Sequence, residues 1–380
     1  MKTILHKDLW SITSFLENKE YSFDKKNILT QLPGKFIDEA IEVISSWDNY
    51  SPTPLIKLNK LNNELKLNNI YYKDEDKRFD LKSFKALGGA FAVYKIASKK
   101  KNITVSTATA GNHGRSVAWG AQRLGLKCKI FISEFVSESR AEAMSNLDAE
   151  VIRVKGNYDN SLKECIEQSN KNNWEIVQDV SWENYKEVPK LIMAGYTIMV
   201  KEIIDEIDNN SITHVFLQAG VGGMAAAMIA GFAKLSIKIP QFIIIEPENA
   251  DCVFQSIKNN RPTTVDIKKE TVMGGMSCGD VSSIAWEILK NSANYCLTIP
   301  DEAISTAVAL LAEARLSDEK IIGGECAVPG VIALIGSFNN KEYLDKLKLD
   351  VKSNVLLFGC EGLTDNAMYQ KLLSDGLQKI

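Results

Sequence analysis

The run Ser83-Phe84-Lys85-Ala86-Leu87-Gly88-Gly89 sets a single lysine among apolar residues and ends in paired glycines. A lysine amine acts as nucleophile or base only when neutral, and partial removal from water beside Phe84 and Leu87 favours that form. Gly88 and Gly89 would let backbone come close to a ligand. Taken alone, the run also reads as a surface lysine on a helix.

Three further runs have chemistry to offer. Thr109-Ala110-Gly111-Asn112-His113-Gly114-Arg115 follows an apolar segment and opens a helical one, which places its amides near a helix N-terminus. Within it the Asn112 side chain could bond a ring hydroxyl, and His113 is either a general base or a satisfied structural histidine. Gln218-Ala219-Gly220-Val221-Gly222-Gly223-Met224-Ala225 has three glycines in four positions, so several amides can face one anion without side-chain obstruction. Gly359-Cys360-Glu361-Gly362 offers a thiol able to share one hydrogen bond with a pyridine nitrogen; the same thiol also reads as a small buried hydrophobe. A lysine, an amide turn and a phosphate cradle together suit a carbonyl cofactor with a phosphate tail, and pyridoxal phosphate is the expected cofactor. The third run has a rival reading. Gly220-x-Gly222-x-x-Ala225, with Glu246 on the next strand, fits a dinucleotide fingerprint and hence an NAD(P)-dependent oxidoreductase. That reading leaves the first two runs without a role.

The elements that must position these runs alternate. Apolar strand segments are expected at 103–108, 128–132, 151–154, 214–219, 242–246 and 355–358, and amphipathic helices at 116–124, 191–207 and 224–232. Such alternation implies an α/β protein with mostly parallel sheets flanked by helices, and ligands bind beyond the carboxyl ends of such strands. Pro52 and Pro54 mark an extended entry segment. The length of 380 residues accommodates two domains, each with a mostly parallel twisted sheet: a large one of 1–88 and 201–380 that binds the cofactor, and a small one of 89–200.

Composition narrows the function. A net charge of -3 gives no electrostatic case for nucleic acid or an anionic membrane. The start has no apolar core of a secretory signal, and no run reaches membrane-spanning length. Seven cysteines lack C-x-x-C pairs and only three histidines occur, so no metal site is expected and the thiols read as reduced and cytoplasmic.

Taken together the four runs resemble the fold type II pyridoxal-phosphate enzymes, which include threonine and serine dehydratases, cysteine synthases and tryptophan synthase β. The resemblance gives Lys85 as the Schiff-base lysine, Asn112 at the ring hydroxyl, Gly220, Val221, Gly222, Gly223 and Met224 at the phosphate, and Cys360 beside the pyridine nitrogen. Gly111 and His113, with Ala110, fall at the substrate. A narrower likeness is to the diaminopropionate ammonia-lyase family. It is carried by Arg78-Phe79-x-Leu81-x-Ser83-Phe84-Lys85, Gly111-Asn112-His113-Gly114-Arg115, Gln178-Asp179-x-x-Trp182-Glu183-x-Tyr185, Glu246-Pro247-x-x-Ala250-Asp251-Cys252 and Met273-x-Gly275-Met276-x-Cys278-Gly279. It runs from about 51 to 365. The family carries an aspartate where this chain has Ala110, which implies activity on the L-isomer only, and tends to show serine where this chain has Cys326. Asp179 keeps the family's second active-site carboxylate. The resemblance implies α,β-elimination of an L-amino acid, 2,3-diaminopropionate giving pyruvate and ammonia, with Lys85 as Cα-proton base, in a homodimer. A serine, threonine or hydroxyaspartate dehydratase and a β-replacement synthase are the alternatives on the same fold.

Overall fold

A computed structural model describes residues 5, 9–109, 111–207 and 211–380. They form strands β1 (Ser14–Glu17), β2 (Leu55–Lys57), β3 (Asn69–Asp74), β4 (Thr104–Ala108), β5 (Lys127–Ser133), β6 (Ala149–Val154), β7 (Glu175–Ile176), β8 (His214–Gln218), β9 (Gln241–Pro247), β10 (Tyr295–Ile299) and β11 (Asn354–Gly359). The chain divides into two compact units, one of Met1–Gln31, Pro52–Lys77 and Met199–Ile380, the other of Leu32–Ser51 and Arg78–Ile198.

The first unit is built on a seven-stranded sheet in the order β1-β10-β9-β8-β11-β3-β2. Its five inner strands are mutually parallel, and only the edges β1 and β2 pair antiparallel. The sequence explains the arrangement: His214-Val215-Phe216-Leu217-Gln218 and Asn354-Val355-Leu356-Leu357-Phe358-Gly359 are buried at every position, as strands covered on both faces require. Helix Gly223–Leu235, apolar nearly all round, is buried along almost its whole length. The chain runs from β8 out through β9 to β10, then returns to β11 on the other side of β8. The order therefore reverses between β8 and β11.

The second unit holds a wholly parallel four-stranded sheet in the order β6-β5-β4-β7. Here the chain leaves β4 for β5 and β6 and comes back to β7 on β4's other side, so the reversal lies between β4 and β7. Ala108, Phe131 and Cys165 form a buried cluster with Ile152, Val154, Leu162 and Trp174 packed against it. Helix Lys85–Ala97 packs against helices Asn112–Arg123 and Glu187–Tyr196.

The contact is close because it is made through glycine. A Cβ on Gly88 would stand 2.4 Å from Tyr196 Cε1, and one on Gly89 2.5 Å from Ser116 Oγ. Those two glycines thus serve helix packing. Residues 32–51 and 78–88 fall in the second unit, where the sequence reading had them in the larger domain. Among the described residues no helix is long and apolar enough to cross a membrane.

Candidate active site

Each of the two sheets gathers its chemistry-bearing residues at its own point of reversal, where parallel sheets leave a crevice. In the second unit, β4 ends at Ala108 and Asn112 begins the next helix. Asp179 lies just beyond β7, the neighbour of β4. Lys85 opens helix Lys85–Ala97. Its Nζ lies 2.5 Å from Asp179 Oδ2 and 5.7 Å from the centre of the Phe84 ring, and its side chain is 26% exposed. The lysine is therefore held and half-buried, not a surface residue.

Asp179 is fixed through its neighbour. Gln178 Oε1 accepts from Thr107 Oγ1 at 2.9 Å and from the Ala108 amide at 3.0 Å, while its Nε2 donates to Ala108 O and Tyr158 Oη. The Gln178 amide donates to Tyr185 Oη, which itself donates to Ile176 O, and the Tyr185 ring stacks on Trp182 with centres 4.2 Å apart. Burial alone would push the Asp179 carboxyl up, but the nearby cations and the Lys85 hydrogen bond outweigh it and hold the group well below the usual carboxylate range. His113 is 4% exposed, with Nε2 2.7 Å from Val177 O and Nδ1 3.8 Å from Asp179 Oδ2. Burial pushes its imidazole down while the Asp179 charge pulls it up, and His113 and Lys85 are the two groups whose charges lower Asp179.

Tyr196 is a site neighbour that no motif announced. Its ring meets Phe84 edge-on at 4.7 Å, and burial pushes its phenol up while the Lys85 charge pulls it down. Asn112 is half-buried at the helix start, next to Gly111, whose amide donates to Thr109 Oγ1 at 3.1 Å. Ala110 lies outside the described residues.

In the first unit, the glycine run follows β8 and opens helix Gly223–Leu235. Gly222 has φ +87°, a left-handed conformation natural to glycine, and no side chain caps this helix. Its first amides lack intrahelical acceptors, and a Cβ on Gly223 would meet nothing within 4 Å. Open amides at a bare helix N-terminus fit a phosphate. Cys360 follows β11, across the same reversal, and its Sγ donates to Cys326 O at 3.0 Å. Cys326, Glu325 and Glu361 bring one potential ligand atom each within 4.8 Å of one another, all buried, and Glu361 Oε1 already accepts the Cys326 amide at 3.0 Å. In the second unit an amine held beside a carboxylate suits an aldehyde, and in the first a bare amide cradle suits a phosphate.

The dinucleotide reading fails on Glu246. Its two carboxylate oxygens accept the amides of Val253 and Phe254 at 2.9 and 2.6 Å, it is fully buried, and it cannot reach a ribose.

Comparison with known proteins agrees with this geometry. The family of pyridoxal-phosphate dependent enzymes matches residues 47–356. The diaminopropionate ammonia-lyase of Escherichia coli (strain K12) is 32% identical over 386 residues, covering 95% of this chain and 96% of that protein. The crystal structure of the Escherichia coli enzyme in complex with D-serine matches with a TM-score of 0.89 at 30% identity, covering 96% of this chain and 98% of that one. A second structure of it, in complex with an aminoacrylate-PLP azomethine reaction intermediate, gives 0.88 at 31% identity over the same shares. Fold and site thus define a pyridoxal-phosphate-dependent enzyme of fold type II, with pyridoxal 5'-phosphate as its cofactor. Within that class the chain belongs to the diaminopropionate ammonia-lyase family, a group of carbon–nitrogen lyases.

Proposed function

We propose that this protein eliminates ammonia from L-2,3-diaminopropionate, yielding pyruvate and two molecules of ammonia. The observation that carries the reading is the Lys85–Asp179 pair, an amine and a carboxylate 2.5 Å apart, in a chain that matches diaminopropionate ammonia-lyase along nearly its full length. Pyridoxal phosphate, when bound, supplies the electron sink for charge left at Cα.

The remaining work belongs to the chain. Lys85 Nζ is the amine that would hold the cofactor and then take the Cα proton. Asp179, kept ionised, suits the cationic β-amine of the substrate, which already carries the proton it needs to depart as ammonia. Asn112 and Cys360 would bond the ring, and the amides of 220–224 the phosphate. Ala110 stands where the family has an aspartate, so the base needed for the D-isomer is missing and activity is confined to the L-isomer. The same reading has the enzyme working as a homodimer in the cytoplasm. The seven cysteines, all in the thiol form, support that compartment.

An absorption spectrum with keto-acid detection tests this. The unmodified protein is expected to be yellow and to form pyruvate from the L-isomer. Lys85→Ala should be colourless and lose activity by at least about 1,000-fold. Asp179→Asn should stay yellow while losing most turnover of the diamine. D-isomer turnover comparable to that of the L-isomer would refute the selectivity, and Ala110→Asp should create it. A yellow protein inert to the diamine points instead to a hydroxy-amino acid.

A further inference from the structure

Resting on the elimination reading, the Lys85–Asp179 pair poses a proton problem. Lys85 must be neutral twice, once to hold the cofactor and once to take the Cα proton, yet its Nζ sits against a carboxylate that favours the ammonium. Asp179 Oδ2 is the first acceptor for the proton to be shed, but a carboxyl held below its usual range is a poor place to leave one.

The next base is His113, and its tautomer is fixed. The Val177 carbonyl can only accept, so the contact at 2.7 Å requires the hydrogen on Nε2. A neutral imidazole has one N–H, which leaves Nδ1 with a bare lone pair. Among the described residues Nδ1 is buried without a hydrogen bond and stands 3.8 Å from Asp179 Oδ2, just beyond bonding reach. Leaving a buried polar atom unpaired is costly, and here it is kept beside the one group that could deliver a proton to it.

We propose that His113 Nδ1 takes the proton that Lys85 sheds, by way of Asp179 Oδ2, and returns it by the same route. The N–H bond at Lys85 breaks as an O–H bond forms at Asp179; that O–H then breaks as an N–H forms at Nδ1. Lysine goes from ammonium to amine, histidine from imidazole to imidazolium, and Asp179 ends as it began. The net charge of the trio is unchanged. The product state also satisfies both ring nitrogens, with Nε2–H donating to Val177 and Nδ1–H, after a small side-chain rotation, to Asp179. Because it acts through Asp179, His113 is a positioning residue for the pair.

The electrostatics run the same way. The charged groups acting on His113 are Asp179, which raises its basicity, and Lys85, which lowers it alongside burial. Neutralising Lys85 removes one of the two lowering influences, so His113 becomes the better base at the moment it is needed. The phenols Tyr185 and Tyr196 are pushed up by burial, and further by the Asp179 charge, and stay neutral.

Nitrogen-15 NMR of the imidazoles decides the arrangement, and three histidines make assignment direct. His113 is expected as the neutral Nε2–H tautomer at pH 7, with its titration midpoint moving up when pyridoxal phosphate is added. His214, held by Thr213 and Leu347, should not move. An Nδ1–H tautomer, or no shift on adding cofactor, overturns the proposal. His113→Gln supplies the second measurement, since glutamine still donates to Val177 but has no base. Its rate of cofactor capture, followed by absorbance, should fall by about 100-fold at pH 7 and lose its acid limb. Capture at the unmodified rate with the fold intact by circular dichroism would overturn the proton role and leave the elimination reading standing. An unmodified protein that captures no cofactor would sink both. Should His113→Gln not fold, the tautomer and its shift in the unmodified protein remain decisive.

Discussion

Gln178 carries more of the site than its neutral side chain suggests. With two bonds accepted and two donated it ties the end of β4 to the segment after β7, and that tie puts Asp179 within reach of Lys85. Gln178→Met keeps the volume and withdraws all four bonds. At about 1 kcal/mol net for each, the loss of unfolding free energy in urea should be on the order of 2–4 kcal/mol. A change under about 0.5 kcal/mol would show that the network does not hold the segment. At this scale local composition and resemblance single out Lys85 and Asp179, which the structure brings together, and Asn112, the glycine cradle and Cys360, which it places at the strand-order reversals. Tyr196 and the bonding of Gln178 were not legible, because each acts only through partners distant in the chain. Gln178 and Tyr185 did stand inside a motif that could be quoted, but a motif does not say which of its members reacts and which ones hold it.

The element that delivers Lys85 is under backbone strain. Phe79, Asp80 and Lys82 have φ of 48°, 59° and 57°, three left-handed non-glycine residues in four, just ahead of the helix. Such a turn persists only where other contacts over-determine it. The Phe79 ring supplies them, lying 4.7 Å from Trp119, 5.8 Å from Trp47 and 6.3 Å from Tyr50. Trp119 is on helix Asn112–Arg123, so the helix bearing Asn112 and His113 also clamps the turn before Lys85. Glycine at either position relieves similar strain, but only at 79 does it remove the ring. Lys82→Gly should therefore leave stability within about 0.5 kcal/mol, whereas Phe79→Gly should lose about 1–2 kcal/mol. Equal losses in thermal unfolding would deny the ring its role. None of this showed in the sequence, since a phenylalanine gives no sign of positive φ. Strand patterning was more open. The runs 103–108, 128–132, 151–154, 214–219, 242–246 and 355–358 correspond to β4, β5, β6, β8, β9 and β11. β3 escaped because Lys73 and Asp74 break its apolar pattern although both are buried, Lys73 paired with Glu202 at 2.7 Å. The helix expected over 191–207 is two, Glu187–Tyr196 and Ile198–Glu206, parted at Thr197.

Across the whole molecule, unit borders were harder to read than strands, because residues 32–51 join the second unit through the packing of helix Gly34–Ser45 on helix Glu187–Tyr196, a contact with no local signal. The distribution of buried acids has a consequence at the same scale. Burial pushes Glu246 up to about 8 and, helped by neighbouring acids, Asp74 to about 6. A carboxyl raised in the folded state binds its proton more tightly folded than unfolded, so its contribution is complete below the unfolded value and is lost as pH rises through the folded one. His113 and His214 are lowered and work in the opposite sense, but only as pH falls below their ordinary range. Asp179, also lowered, is lost at still lower pH. Between about pH 6.5 and 8 the window of Asp74 has closed and the unfolded histidines lose their remaining protons, an opposing effect smaller than that of Glu246. The cofactor-free chain should therefore lose stability across that interval, by on the order of 1 kcal/mol, with a lower thermal midpoint at the alkaline end. Unfolding at about pH 7.5 should give a net release of about half a proton per chain, measurable by calorimetry in buffers of different ionisation enthalpy. No release, or uptake, would mean that Glu246 is an ordinary ionised carboxylate, and that the two amides of Val253 and Phe254 outweigh the burial of the group they cap.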